Sequence, residues 1–371
     1  MSSLLMAIVI NGMTLEETIN LTDIFIKSGK IYDLREIKEI ILDKHSTGGV
    51  GDTTTLVVGP IVAACGCFMA KISGKGLGIT GGTIDKLESI PGFKTNLSKR
   101  QFIKNLKEVG FVDSSQTKEL VPLDKVIYDL RNNSGTTESI PLIASSIMSK
   151  KIASGADIIL IDIKVGKGAL IKTKKDATLL SKWMKEIGKR YHKKIVTIIS
   201  DMNEPLSSSI GNKLEVEEAI NVLKGEKCKL YNTSKEIASI LISLAKNITI
   251  KEAEDMVDEV IKNKKAYHKF IEFCKAQNGD IKKLKINANI KILRSDKTGT
   301  LKSIDAMKIG NLSLKLGAGK ISDKEKIDYN AGIKLFKEKG DKVKKGEILA
   351  TLYTNKNIKL KDEDINCFNI E

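Results

Sequence analysis

Arginine, aromatic rings and long apolar runs are scarce in this sequence, and each scarcity narrows what the chain can be. Of 62 basic residues only five are arginine (Arg35, Arg100, Arg131, Arg190 and Arg294). The net charge of +16 raises nucleic acid as a partner, but aromatic residues make up only 5% of the chain. The lysines are scattered among isoleucines and asparagines with few rings to stack on bases. The reading is therefore no nucleic acid partner. Because lysine is the default cation here, a position that uses arginine instead is informative. No apolar run is long enough to span a membrane, and Leu4 to Ile10 lacks the basic flank and cleavage site of a signal peptide. That predicts no membrane partner and a cytoplasmic protein. The five cysteines show no metal-ligand spacing, and Cys65 and Cys67 lie in the apolar "IVAACGCFMA", which predicts buried thiols rather than disulfides.

What is present is an alternation of helical and strand patterns. A chain of 371 residues suggests two or three lobes. The segment to about Gly29 reads as helical, with Thr14 and Glu17 at capping-box spacing. "TLVVGPIVAACG" reads as a helix, "CFMAKIS" as a strand, "DIILIDIKVG" as a buried strand and Lys174 to Arg190 as a helix. "KIVTIISDM" and "EVEEAINVLKG" repeat the strand–helix order, which indicates an α/β fold with a mainly parallel central sheet. "IPLIASSIMSKKIASGAD" is a helical insertion with Pro141 at its start. Beyond about Ile290, stretches such as "GTLKSIDAMKIG" predict short strands and turns, a C-terminal β-rich region.

Two stretches stand out chemically. "DKHSTGGVGDTTTL", residues 43–56, places glycines, hydroxyls, a lysine and a histidine between an apolar strand pattern and an apolar helix. A strand-to-helix turn presents free N–H groups and the positive end of a helix dipole, which together suit phosphate. It lacks the Lys-Ser or Lys-Thr of a Walker A loop and the spacing of a dinucleotide fingerprint. "KISGKGLGITGGTIDKLESIPGF", residues 71–93, repeats the theme before a helix beginning near Asp85. Two such loops in one sheet would face each other at the carboxyl ends of neighbouring strands.

These two loops, with "VIYDLR" and "SIPLIASSIMSKKIASGAD", closely resemble the thymidine and pyrimidine-nucleoside phosphorylases over nearly the whole chain. The resemblance implies a small all-helical domain (1–28 and 123–153), a large α/β domain (29–122 and 154–290) and a C-terminal, barrel-sandwich-like β-rich region (291–371). It implies phosphorolysis of a pyrimidine nucleoside (thymidine, with deoxyuridine or uridine) to free base and pentose 1-phosphate. No organic cofactor is implied, inorganic phosphate being the co-substrate. Position by position, the phosphate site would be Lys44, Ser46, Thr55, Lys71, Ser73 and Thr83, and the base site His45, Arg131, Ser146 and Lys150. His45, Arg131 and Lys150 would be the catalytic residues, with His45 a proton donor or electrostatic helper at the pyrimidine 2-oxygen. A structural potassium ion would lie near Gly51, Thr53, Leu206, Ser209 and Glu218. His192 and His268 read as surface residues on helices.

The resemblance also carries departures. Family chains begin roughly three dozen residues earlier, so "SSLLMAIVINGMT" matches a point already inside the helical domain, two helices would be absent, and family dimers pack through that domain. The homodimer implied for this chain would thus be weakened. "NNSGTTES" after Arg131 differs from the family pattern, Ile79 stands where a histidine is usual, and Lys75 where an arginine is. Two alternatives stand beside the phosphorylase: a non-catalytic nucleoside- or phosphate-binding remnant, and an anthranilate phosphoribosyltransferase-like enzyme, which would need magnesium.

Overall fold

The structure is a computed structural model and describes residues 1–76, 79, 81–320, 325–361 and 366–371. The chain opens with helices α1 (Ser2–Asn11) and α2 (Leu15–Lys27), followed by strand β1 (Ile41–Ser46), helix α3 (Thr54–Ala64) and strand β2 (Phe68–Ser73). Then come α4 (Thr83–Glu88), α5 (Lys99–Val109), β3 (Phe111–Ser115), α6 (Pro122–Ser134) and α7 (Ile140–Ala153). The next stretch holds β4 (Ile158–Val165), α8 (Lys174–Arg190), β5 (Lys194–Asp201), the short β6 (Ser209–Ile210) and helices α9 (Asn212–Leu223), α10 (Lys229–Lys246), α11 (Ile250–Lys262) and α12 (Lys265–Ala276). The last part comprises β7 (Asn289–Arg294), β8 (Gly299–Ile304), α13 (Ala306–Leu316), β9 (Gly332–Leu335), β10 (Lys342–Val343), β11 (Ile348–Thr354) and β12 (Phe368–Ile370).

Five strands form one sheet in the order β3-β2-β1-β4-β5, every pair parallel. The order follows from the sequence: a parallel neighbour needs a crossover, and α3, α5 and α8 each supply one. Both faces are covered, so the inner strands are apolar on both sides until their carboxyl ends. α3 is buried along its length because the sheet lies on one side and α10 and α12 on the other. Gly59 permits this: a Cβ there would lie 2.4 Å from the Phe111 ring. Each buried aliphatic side chain in this layer contributes about 1.5–3 kcal/mol.

The opposite face of the sheet shares a core with α1, α2, α6 and α7. Thr14 and Glu17 form the expected capping box at the start of α2, and Pro141 sits in the first turn of α7. The thiols of Cys65, Cys67, Cys228 and Cys274 are free, and Cys65 and Cys67 are buried.

Two small antiparallel sheets, β10-β8-β12 and β6-β9-β11-β7, share a third core with α13. Two expectations are corrected here. Residues 306–316 form a helix rather than strands and turns, because the Asp305 side chain caps Lys308 N–H and Ile309, Leu312 and Leu316 recur at helical spacing. His192 is exposed in a turn with φ 55°, not on a helix, whereas His268 is exposed on α12. β6 lies far upstream of its sheet partner β9, so this sheet is not built from the C-terminal residues alone. Among the described residues no helix is long and apolar enough to cross a membrane.

Candidate functional site

Side-chain alternation along the parallel strands lays out the site. Leu42, Met69, Phe111 and Leu160 belong to the core under α3 and α12, while Ile41, Ala70, Val112 and Ile161 belong to the core under α2 and α7. The two-residue period then sends Lys44, Ser46, Lys71, Ser73 and Asp113 to the α3 face, together with Asp162 and Lys164. Asp43 and His45 go to the α7 face. "DKHS" is therefore the polar end of a strand, held in register by Ser46 opposite Asp162, and the turn begins only at Thr47.

On the α3 face the expected phosphate residues come together. Lys44 Nζ donates to Thr54 Oγ1 and lies 3.8 Å from an Asp52 carboxylate oxygen. Asp52 in turn accepts from Thr54 N–H (3.2 Å) and Thr54 Oγ1 (2.6 Å), tying the loop to the first turn of α3, where Thr55 is also buried. Lys71 Nζ donates to the Lys44 carbonyl at 2.7 Å, so the two lysines are stacked one strand apart. The Ser46 hydroxyl accepts Gly48 N–H at 3.3 Å. Ser73 Oγ donates to Asp113 Oδ2 at 2.8 Å. Ile84 N–H donates to the Gly74 carbonyl at 3.3 Å, bringing Thr83, first residue of α4, back toward the end of β2. Asp85 accepts Gly76 N–H (2.6 Å) and Gly82 N–H (3.2 Å), and folds this second loop so tightly that a Cβ on Gly82 would lie 2.2 Å from Gly76 N. Leu77, Gly78 and Thr80 of that loop lie outside the described residues; Lys75 pairs with Glu88 at 2.8 Å.

The electrostatics suit an anion. Burial lowers Lys44 and Lys71 to about 8. Against the opposing effect of burial, Lys44 and Lys164 hold Asp52 well below the usual carboxylate range. Lys164 is raised despite its burial by Asp52 and Asp162, the latter at 2.6 Å. Burial pushes Asp113 up to about 7.

On the α7 face, Asp43 pairs with Lys151 at 2.9 Å, and Lys151 also donates to the Ile72 carbonyl at 3.0 Å. His45 beside them is half-buried. Burial, then the charges of Lys151, Lys71, Lys150 and Lys44, hold its imidazole well below its ordinary value. The lysines that act on it come from both clusters. Lys150 donates to Ser146 Oγ at 2.8 Å, as their spacing of four on one helix predicts, and to Asp124 Oδ2 at 2.5 Å. Arg131 is only 2% exposed. Its guanidinium donates to the main-chain carbonyls of Thr136 (3.1 Å), Leu142 (3.0 Å) and Thr137 (2.8 Å), so three of its five donors hold the α6–α7 loop. The Tyr128 ring lies 5.7 Å from Arg131 Cζ and 5.8 Å from Lys150 Nζ.

The five residues expected around a potassium ion meet at one junction. Leu206 N–H donates to the Val50 carbonyl at 3.1 Å, Ser207 Oγ to the Gly51 carbonyl at 2.5 Å, and Ser209 N–H to Glu218 at 2.6 Å. Thr53 turns its hydroxyl to Glu215 at 2.5 Å. Carbonyl, hydroxyl and carboxylate oxygens are a donor set that fits a hard monovalent cation. Sequence reasoning missed the carboxylates Asp43, Asp52, Asp113, Asp124 and Asp162, and the buried Lys86–Glu215 pair at 2.8 Å. The available signal was polar residues at alternate positions in an otherwise apolar strand, as in "LIDIKV".

A family profile described as "Glycosyl transferase family, a/b domain" matches residues 38–267, and one described as "Pyrimidine nucleoside phosphorylase C-terminal domain" matches 300–364. The pyrimidine-nucleoside phosphorylase of Bacillus subtilis (strain 168) is 47% identical over 363 residues, covering 96% of this chain and 84% of the relative. That of Geobacillus stearothermophilus is 46% identical over 364 residues, with the same coverage of 96% and 84%. Among solved structures, anthranilate phosphoribosyltransferase from Thermus thermophilus superposes with a TM-score of 0.58 at 15% identity, covering 74% of this chain and 89% of that one. The Saccharomyces cerevisiae enzyme of the same name gives 0.55 at 14% identity, covering 74% and 84%. At such identity the structural likeness shows the fold alone. The profiles and the near full-length relatives decide the matter: the chain belongs to the pyrimidine-nucleoside phosphorylase family.

Proposed function

We propose that this chain splits pyrimidine nucleosides with inorganic phosphate, taking thymidine together with deoxyuridine or uridine. Phosphate lies on the α3 face against Lys44, Ser46, Thr55, Lys71, Ser73 and Thr83. The base lies on the α7 side against His45, Ser146, Lys150 and the two donors of Arg131 that the loop carbonyls leave over. A phosphate oxygen forms a bond to C1′ as the bond from C1′ to the base nitrogen breaks. The sugar passes through an oxocarbenium-like state, and the base departs with the bonding pair, to be protonated on the ring.

The catalytic contribution is position and charge. Lys150, oriented by Asp124 and Ser146, stabilises the negative charge growing on the base. His45, neutral because burial and four lysines disfavour its cation, donates an N–H to the pyrimidine 2-oxygen instead of acting as an imidazolium. Gly51, Thr53, Leu206, Ser209 and Glu218 would hold a potassium ion that fixes the loop junction and takes no part in the chemistry. A homodimer, a cytoplasmic location and the three-part division by sequence position belong to the same proposal and rest on the family likeness.

The observation that carries the reading is the pair of cationic clusters on opposite faces of one strand end, meeting at Lys44 and His45. The test is release of thymine from thymidine with and without millimolar phosphate. Release that needs phosphate and yields deoxyribose 1-phosphate supports the reading. No release, together with no stabilisation by phosphate, overturns it. Turnover that requires magnesium and a pyrophosphorylated sugar would favour the phosphoribosyltransferase alternative.

A further inference from the structure

Asp113 is fully buried, and its carboxyl group has one hydrogen-bond partner. That partner is Ser73 Oγ, 2.8 Å from Oδ2; Oδ1 is buried and meets no donor among the described residues. An ionised carboxylate in such a place would leave a charged oxygen unsolvated and unpaired, which is far costlier than a neutral carboxylic acid there. The charged groups around it are Lys71, directly opposite in the β2 register, Asp43 from β1 and Lys151 from α7. Gln277, next to α12, occupies its main chain, accepting from Asp113 N–H and donating to the Asp113 carbonyl.

A serine hydroxyl has one proton to give. If Asp113 is ionised, that proton goes to the carboxylate, and Ser73 can offer an incoming anion only lone pairs. If Asp113 holds a proton, the direction reverses: the acid donates to Ser73 Oγ, and the serine proton turns toward the anion. We propose that Asp113 is a positioning residue that keeps Ser73 a donor to phosphate by carrying a proton, so that anion binding at Ser73 is coupled to protonation of a carboxyl group that never touches the anion. This rests on the phosphate site proposed above. Burial, the largest influence on Asp113, pushes its ionisation up to about 7, so the relay switches near neutral pH. The sign is fixed: as pH rises through that value the carboxyl loses its proton, Ser73 stops donating, and affinity falls.

Inorganic sulfate is the probe, because it stays a dianion throughout and its own titration does not intrude. Sulfate affinity of the full chain is measured by calorimetry between about pH 6 and about pH 7.5, where Lys44 and Lys71 are still mostly charged. The wild type is expected to weaken roughly threefold across that range, because a carboxyl that ionises at about 7 goes from mostly protonated to mostly ionised there and Ser73 loses its hydrogen bond to the anion with it. Asp113→Asn, whose amide donates to Ser73 Oγ at every pH, should stay near the acid-side affinity throughout. Ser73→Ala should be weak and flat. A second measurement needs no Asp113 variant: proton uptake on sulfate binding near pH 7, from buffers of different ionisation enthalpy. It should fall by about half a proton in Ser73→Ala. If Ser73→Ala weakens binding but Asp113→Asn keeps the wild-type slope, or the uptake is equal in wild type and Ser73→Ala, the relay is overturned while the phosphate site stands. If Ser73→Ala binds sulfate like the wild type, the phosphate site falls and the relay with it.

Discussion

Lys44 and His45 are neighbours on β1 and point to opposite faces of the central sheet. Lys44 reaches Thr54 and Asp52 at the start of α3, while His45 shares its face with Asp43, which is paired with Lys151 of α7 at 2.9 Å. In the proposed reaction one side chain meets the nucleophile and the next meets the leaving group. Their separation is set by a strand held on both sides by parallel ladders, so neither can drift relative to the other.

Replacing Lys44 by Met removes one face of that arrangement. The side chain keeps its length and its apolar stem, so the core under α3 is little disturbed, but the charge that would meet phosphate is gone. The expected loss is about 3 kcal/mol of transition-state stabilisation, roughly a hundredfold in kcat/KM for phosphate, with nucleoside binding nearly unchanged. Steady-state kinetics with each substrate varied in turn checks this. An equal loss for both substrates would contradict a one-sided role.

Phosphate should stabilise the protein most near neutral pH. The folded values of Lys44 and Lys71 are lowered from 10.5 to about 8 by burial, so without an anion both lysines release protons more readily folded than unfolded. Between about pH 8 and pH 10.5 the unfolded chain then binds more protons, and the stability of the anion-free protein should gain as pH rises. Bound phosphate restores the lysine charge and removes that gain. Thermal unfolding with and without phosphate should therefore show an upshift that shrinks above about pH 8. An upshift that grows toward pH 10 would mean the anion binds elsewhere.

His45 should leave no ionisation near 6.5 in kcat/KM for the nucleoside. Burial and the four lysines hold its folded value well below that, so the imidazole is neutral across the working range. By the same linkage, stability falls as pH drops through about 6.5, where the unfolded histidine takes up a proton that the folded one refuses. Proton NMR of the imidazole in the anion-free protein is the direct check. A titration centred near the ordinary histidine value would end the neutral-donor role. His45→Gln, which keeps an N–H donor, should lose about tenfold in kcat, less than His45→Ala.

The parallel sheet was legible because its signals are local. "DIILIDIKV" is apolar enough to be a doubly covered strand, Thr14 and Glu17 cap α2 within three residues, and Pro141 marks the first turn of α7. α13 was harder, because a β-rich stretch precedes it and its Asp305 cap is a single residue. β6 could not be read at all: two residues pair with β9 more than a hundred positions later, and no periodicity shows in so short a strand. The site divides the same way. The glycine-rich loops with their lysines and hydroxyls stand out by composition, whereas Ser146 and Lys150 came through the family resemblance, their spacing of four only placing them on one helix face. Asp52, Asp113 and Asp124 do not stand out, since each matters through a partner on another element. Rarity marked all five arginines alike and the family resemblance singled out Arg131, but the main-chain carbonyls that occupy most of its donors have no side-chain signature.

Arg131→Lys tests that last point. An ammonium group can follow only one of the three directions that the guanidinium serves, which leaves two of the carbonyls of Thr136, Thr137 and Leu142 short of a donor. The expected cost is about 3 kcal/mol of stability, read from the urea midpoint at unchanged slope. A solvated surface charge would change stability by less than about 0.5 kcal/mol. Because the loop joins α6 to α7, loosening it also frees Asp124 relative to Lys150, so KM for the nucleoside should rise while KM for phosphate stays put. A variant of normal stability whose nucleoside KM alone is raised would mean that Arg131 acts only through the two donors it turns to the base and that its hold on the loop is incidental.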